Sequence, residues 1–380
     1  MSFKRKRGET IPQTSNDVDT SKPSALFKPT GGRKTTLSVA LPGSIISNAQ
    51  THELKTALAG HIARALAVFC VDEVVIFDDG QNVPPKWQND RNGGYYNQYQ
   101  EQGNNNEQSY TGYSDPCHFL MHILSYLETP PHLRKHLFPL HPNLRTAGTL
   151  PSLDMPHHLR TDEWCQYREG VTIEDASSHV DTNSAISNSK GKKSKKSNGT
   201  SIGSVVEAGL RQRVKIHETI PSNTRVTVKF PAEDRPINSS DYLVGEATSP
   251  DFPREEDGYY WGYAVRRAPS LSTVFTECTY DGGYDLSFGT SERGVPLRDA
   301  IVDPSGSKPD FEHMLVVFGG VQGLEAAVKA DADLVEKGVQ DPEALFDHWI
   351  NLHPGQGSRT IRTEEAVWMG LMGLRDVFAQ

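Results

Sequence analysis

Between Thr35 and Asp79 the apolar positions recur with two different periods. TLSVAL reads as a strand and VDEVVIF as a buried strand, and between them Leu54, Leu58, Ile62, Ala65 and Phe69 are spaced by four, four, three and four residues, the period of one helix face. Strand, amphipathic helix and buried strand make a βαβ unit, which predicts a parallel sheet covered by helices. HFLMHILSYLETP predicts a further helix stopped by Pro130 and Pro131, and a Pro- and His-rich connection runs on through Pro156.

From Val205 to Phe275 the period falls to two. Val226, Val228 and Phe230 alternate with Arg225, Thr227 and Lys229, flanked by RQRVKI, DYLVGEA and YYWGYAVRRA. Several short strands without helices predict a small β-barrel, and because the α/β pattern resumes afterwards the barrel is expected to be inserted in the α/β unit. An OB-like form is preferred, since that fold presents aromatic and basic residues to single-stranded nucleic acid. Tyr259, Tyr260, Trp261, Tyr263, Arg266 and Arg267 supply this composition, and Tyr263, Arg266 and Arg267 are the RNA-contact candidates. The plainer reading is that half of these aromatics fill the barrel core.

Three passages in the C-terminal third run from an apolar stretch into glycines: YDLSFGTSERG, HMLVVFGGVQGLEAA and FDHWINLHPGQGSRTIRTEEA. Glycines at strand ends let backbone N–H and C=O groups approach a ligand without a Cβ in the way. The middle passage could cradle a pyrophosphate, but its spacing is G-G-x-x-G instead of G-x-G-x-x-G, and the G-x-x-x-x-G-K-[ST] pattern is absent. After the third passage Thr363 is the expected helix cap, with Glu364 and Glu365 in the first turn and Val367, Leu371, Leu374 and Phe378 as the buried stripe.

Three segments carry almost no apolar periodicity: 1–33, 81–112, rich in Asn, Gln and Gly, and 171–203, which ends in SNSKGKKSKKSNG. They are expected to be a tail and two insertions. The resulting plan is a basic tail at 1–33, a first α/β part at 34–165, an inserted barrel at 166–278 and a second α/β part at 279–380. The chain has 39 Lys and Arg against 48 Asp and Glu, a net charge of −9. Yet 1–34 holds eight cations and three acids, and Lys190 to Lys196 adds five cations. The remainder is therefore acidic, which argues against a broadly basic nucleic-acid-binding body and leaves tails and local patches for polyanion contact. KRKR at Lys4 to Arg7 and KGKKSKK read either as nuclear-targeting or RNA-attracting runs or as solvated linker charge. No stretch approaches the roughly 18 consecutive apolar residues of a membrane span, and the N-terminus opens with charges, so neither a transmembrane nor a secreted protein is expected. Cys70, Cys117, Cys165 and Cys278 are far apart with no C-x-x-C pair, which suggests reduced thiols and no metal site.

GTSERG at Gly289 to Gly294, VVFGGVQGLE at Val316 to Glu325 and PGQGSRTIRTEEA at Pro354 to Ala366 resemble the three cofactor loops of SPOUT-superfamily RNA methyltransferases. PHHLR at Pro156 to Arg160 and YYWGYAVR at Tyr259 to Arg266 resemble the eukaryotic and archaeal subfamily with an inserted OB-like barrel. The resemblance implies an α/β fold with a trefoil-knotted parallel sheet, helices on both faces, S-adenosylmethionine as cofactor and a homodimer. By motif position it makes Arg293, Gly319, Gly320, Asn351, Gln356, Gly357, Ile361 and Thr363 the cofactor contacts. Arg293, Arg362 and Glu364 are the catalytic candidates, Arg293 because a guanidinium could stabilise an anion developing on a pyrimidine. The function expected is methylation of a base, with uridine N3 as the specific choice, in ribosomal or other structured RNA, in the nucleus or nucleolus with the cytoplasm as the alternative. The competing readings are a catalytically silent RNA-binding assembly factor and, from the glycine turn alone, a nucleotide-dependent oxidoreductase.

Overall fold

A strand that is apolar on both faces needs cover on both sides, and that requirement organises the main sheet. The structure is a computed structural model that describes residues 31–81, 110–174, 203–231, 242–301 and 309–378. The chain begins with β1 (Thr36–Pro42), α1 (His52–Val68), β2 (Glu73–Phe77), α2 (Pro116–Glu128) and α3 (Pro131–Leu137). It then forms β3 (Tyr167–Ile173), β4 (Val205–Glu207), β5 (Arg213–Lys215), β6 (Arg225–Lys229), β7 (Tyr242–Val244) and β8 (Glu246–Thr248). After α4 (Phe252–Asp257) come β9 (Ala264–Ala268), α5 (Leu271–Thr276), β10 (Leu286–Pro296), α6 (Leu297–Ala300) and β11 (His313–Val317). The last elements are α7 (Gly323–Ala330), α8 (Ala332–Glu336), β12 (His348–Asn351), α9 (Thr363–Gly373) and α10 (Arg375–Phe378).

One six-stranded sheet has the order β12-β10-β11-β1-β2-β9, and its five ladders are all parallel. Alternate residues serve two cores. Leu37, Val39 and Leu41 of β1, Val74 and Ile76 of β2 and Met314 and Val316 of β11 join α1, α2 and α9 on one face. Ala40, Val75, Phe77, Leu315 and Val317 join α5, α7 and α8 on the other. The expected βαβ unit is present, but Leu54 is 55% exposed. The face of α1 that packs is Leu58, Ala59, Ile62, Ala63, Ala65 and Leu66.

The second sheet has the order β7-β5-β4-β3-β6-β8. It is antiparallel except where β7 meets β5, and its two outermost strands are consecutive in the chain with only Gly245 between them. Its core is built from Val206, Val214, Val226, Val228, Phe230 and Leu243 with their neighbours.

Three expectations need correction. YYWGYAVRRA does not belong to the second sheet: β9 pairs in parallel with β2, so the α/β part resumes before Ala264 and not at 279. The strand tolerates two arginines because it is the sheet's edge. Tyr260 and Tyr263 are buried in the first core of the parallel sheet, not in the second sheet. The Lys-rich stretch does not begin at Val171, because Val171 to Ile173 are paired residues of β3. Residues 175–202, like 1–30 with KRKR and 82–109, lie outside the described residues.

A buried ionic cluster joins the two sheets. Arg225 on β6 donates to Glu128 at the end of α2 at 2.6 and 3.0 Å and to Glu169 on β3 at 2.6 Å. Glu169 also accepts from Thr227 Oγ1 at 2.6 Å and Trp261 Nε1 at 2.7 Å, and His157 Nε2 lies 3.0 Å from Glu128 Oε1. Burial alone would raise both carboxyls, but Arg225, with His157, holds them below their ordinary value. Arg225→Met should therefore cost about 2–4 kcal/mol in urea denaturation at pH 7, since it leaves two buried carboxylates uncompensated. The depressed carboxyls contribute stability that is present above the ordinary value of 4.5 and is lost as pH falls through the lower folded value. Wild-type stability should decline as pH falls below 4.5, and Arg225→Met should flatten the decline.

Candidate active site

In a parallel sheet every strand ends at the same edge, so residues following neighbouring strands meet there. Strands β12, β10 and β11 are neighbours, and the three glycine passages follow or interrupt them. Within β10, Thr290 and Val295 both face Ile350 of β12. Ser291, Glu292, Arg293 and Gly294 therefore leave the ladder as a bulge, where a strand followed by a loop was expected. A Cβ on Gly294 would stand 2.4 Å from the Ile350 carbonyl carbon, so the close return of the chain requires glycine. After β11, Gly323 N donates to Gly320 O at 3.0 Å, Gly323 has φ +72°, and α7 begins. A Cβ on Gly319 would stand 3.0 Å from Gly323 Cα.

Side chains tie the passages together. Thr290 Oγ1 donates to Val317 O at 3.1 Å, and Asn351 Nδ2 donates to Glu292 O at 2.7 Å while its Oδ1 accepts from His353 N at 3.0 Å. Arg293, on the bulge, lies 3.4 Å from Glu325 on α7 and is 76% exposed. Thr363 does not cap α9 as expected. Arg362 holds the cap position, its N–H donating to Glu365 Oε2 at 3.0 Å, and Thr363 is the buried first residue of the helix. Its hydroxyl donates to Gly319 O at 3.0 Å, tying the third passage to the second.

The other candidates are dispersed. Gln356 Nε2 donates to Ser358 O at 3.0 Å within its own loop, Gly357 has open space around it, and Ile361 is half-buried. Arg362 lies 3.8 Å from Glu364 and is largely exposed. Of the RNA-contact candidates, Tyr263 is 4% exposed and its hydroxyl donates to Leu124 O at 3.1 Å, so its ring is core and offers no stacking platform. Arg266 donates to Glu73 at 2.9 Å and to Val274 O at 2.9 Å, again a structural position. Arg267 forms a bidentate pair with Asp115 at 2.9 and 3.2 Å on the surface.

Two residues at the same sheet edge escaped sequence reasoning. Ser44 follows β1 and Asp79 follows β2, and Ser44 Oγ donates to Asp79 Oδ2 at 2.6 Å. A Cβ on Gly320 would lie 3.2 Å from each of these oxygens. The available signal was an acidic residue just past a wholly buried strand. A further cluster, His118, His122 and His141, brings three ring nitrogens within 4.8 Å of one another. Asn143 N donates to His141 Nδ1 at 3.1 Å and Asn143 Nδ2 lies 3.3 Å from His122 Nδ1.

Next to the third passage, Val68, Phe69, Leu352, Trp368, Met369 and Met372 line an open apolar groove between the end of α1 and α9. Val68 and Met372 are 48% and 59% exposed. Among the described residues no helix is long and apolar enough to cross a membrane.

Residues 36–374, which include all three passages, match a family model described as "Putative RNA methyltransferase". Over 348 residues the chain is 42% identical to a human protein named 28S rRNA (uridine-N(3))-methyltransferase, covering 90% of this chain and 79% of that one. A mouse protein of the same name is 42% identical over 350 residues, with 92% and 78% covered, and one from Drosophila melanogaster is 42% identical over 342 residues, with 90% and 62% covered. This family acts on RNA with a methyl donor, which leaves no support for a nucleotide-dependent oxidoreductase and does not favour a silent assembly factor. The match across nearly all the described elements, together with the tied glycine passages inside it, makes this chain a member of the RNA methyltransferase family.

Proposed function

We propose that this protein transfers a methyl group from S-adenosylmethionine to N3 of a uridine in large-subunit ribosomal RNA. The observation that carries the reading is the set of three glycine passages joined by Asn351, Thr290 and Thr363 at one sheet edge, in a chain whose relatives are named for that reaction. The donor set fits an adenosine-bearing cofactor. Asn351 offers an amide to a ribose hydroxyl, the backbone at Gly319, Gly320, Gly357 and Ile361 offers N–H and C=O groups to an adenine edge, and Gln356 and Thr363 border the same loops. The cofactor supplies an electrophilic methyl carbon on sulfur, and the chain's task is to align the uracil nitrogen with it. Arg293, exposed on its bulge, offers donors to a uracil carbonyl oxygen on which charge builds as N3 loses its proton. Arg362, paired with Glu364, faces solvent where it can meet a phosphate.

The pairing pattern of the second sheet supports an OB-like barrel: β7 and β8 form one interrupted strand that pairs on one side with β5 in parallel and on the other with β6 antiparallel. Contact of α9 with α1 and the bond from Thr363 to Gly319 support a C-terminal segment that turns back across the sheet edge, as a trefoil knot requires. The apolar groove beside α9 suits a second copy of the chain, which would set two sites near one interface. An rRNA substrate supports a nuclear or nucleolar location.

Calorimetric titration with S-adenosylhomocysteine should give saturable binding, weakened about tenfold or more by Asn351→Ala, which is about 1.4 kcal/mol. Folded protein that binds nothing would sink the reading. Tritium transfer to rRNA from cells lacking the protein, followed by mass-spectrometric mapping, should find 3-methyluridine. Light scattering should report a dimer that Val68→Glu with Met372→Glu converts to monomer.

A further inference from the structure

A uracil N3 carries a proton that must leave when the nitrogen takes a methyl group. Near the joined loops, Glu325 faces Arg293 and Glu364 faces Arg362. Asp79 stands in a different environment. It lies at the carboxyl edge of β2, 2% exposed, and its oxygens accept from Ser44 Oγ at 2.6 Å and from Gln81 N at 3.3 Å. Among the described residues it has no ion pair with a cation. Burial pushes the carboxyl up, Ser44 and the backbone N–H groups pull it down, and Asp78 pushes it up again, with a raised value as the net result. Buried carboxylates without a cation are uncommon, and a raised carboxyl inside a functional edge is the form a general base takes.

Its position is set by the sheet. The order β11-β1-β2 places the ends of β1 and β2 beside the turn that follows β11. Asp79 Oδ2 and Ser44 Oγ abut Gly320 so closely that a Cβ there would be 3.2 Å from both. Ser44 retains 9% exposure against 2% for Asp79, the order that a relay from substrate inward requires.

Resting on the methyltransferase reading above, we propose that Asp79 accepts the N3 proton of the substrate uridine through the Ser44 hydroxyl. The N3 electron pair forms the new N–C bond as the methyl carbon's bond to sulfur breaks and its pair stays on sulfur. The N3 proton passes to Ser44 Oγ while the Ser44 proton passes to Asp79 Oδ2, leaving a neutral carboxylic acid that releases its proton to water. The relay is a chemical role for two residues that otherwise only support the glycine turn.

The test uses the full chain with Asp79→Asn and Ser44→Ala, on RNA containing uridine or 5-fluorouridine, whose fluorine acidifies N3. Asp79→Asn should bind S-adenosylhomocysteine within about twofold of wild type. It should lose about 10²-fold or more in single-turnover rate on uridine RNA, and at least tenfold less of that on 5-fluorouridine RNA, where less help from a base is needed. Ser44→Ala should show the same pattern with a smaller loss, and it carries the test should Asp79→Asn fail to fold. Carboxyl carbon NMR of the wild type should show Asp79 titrating above the ordinary 3.8. Equal losses on both RNAs, no loss on either, or Asp79 titrating at or below 3.8 would overturn the proposal. Wild-type protein that binds no S-adenosylhomocysteine would overturn the methyltransferase reading instead.

Discussion

A single guanidinium lying between two buried carboxylates fixes how the two sheets meet. Glu128 ends a helix that packs on the parallel sheet, while Glu169 and Arg225 belong to strands of the other sheet, so the cluster closes only when both sheets are folded and correctly docked. Each of the four carboxylate oxygens is answered by Arg225, Thr227, Trp261 or His157. A half-formed version would leave charge in a medium that solvates it poorly, which is why such networks specify an arrangement even where they add little net stability. Trp261 also lies in the segment leading to β9, so the same cluster anchors the chain as it returns to the parallel sheet.

The sheet edge that carries the three glycine passages depends on a second constraint, the common direction of the strands. Parallel pairing sends the ends of β10, β11, β12, β1 and β2 to one side, and their last carbonyls must find donors there. The side chains of Thr290 and Thr363 supply donors to strand-end carbonyls, and Asn351 supplies one to the bulge. Glycine at Gly294 permits a backbone approach that a Cβ would block, and at Gly319 a Cβ would press on the Gly323 backbone. The residues that tie the three passages together therefore also satisfy backbone groups at that edge.

What could be read in the chain was read from local pattern. The βαβ unit, the helix after the polar stretch and the stripe along α9 follow from spacing alone, because each buries a face whose period is set by its own backbone. Misreadings arose where a residue's partner is distant in sequence. Tyr263 carries the composition of a nucleic-acid platform but reaches Leu124, and Arg266 meets Glu73. Thr363 looks like a helix cap until the carbonyl of Gly319 is brought beneath it. AVRRA cannot be told from the short strands before it by period alone, because an edge strand and a strand of a small barrel alternate alike.

The glycine and polar motifs of the three passages, their order, and the alternation that makes the strands are properties of the chain as written, since backbone sterics and side-chain period act within a few residues. The bulge in β10, the return of β9 to the parallel sheet, and the meeting of Ser44, Asp79 and Gly320 came only with the tertiary structure. They depend on which strands become neighbours, and strand order is decided by the joint burial of two apolar faces over the whole sheet, a sum that no local window contains.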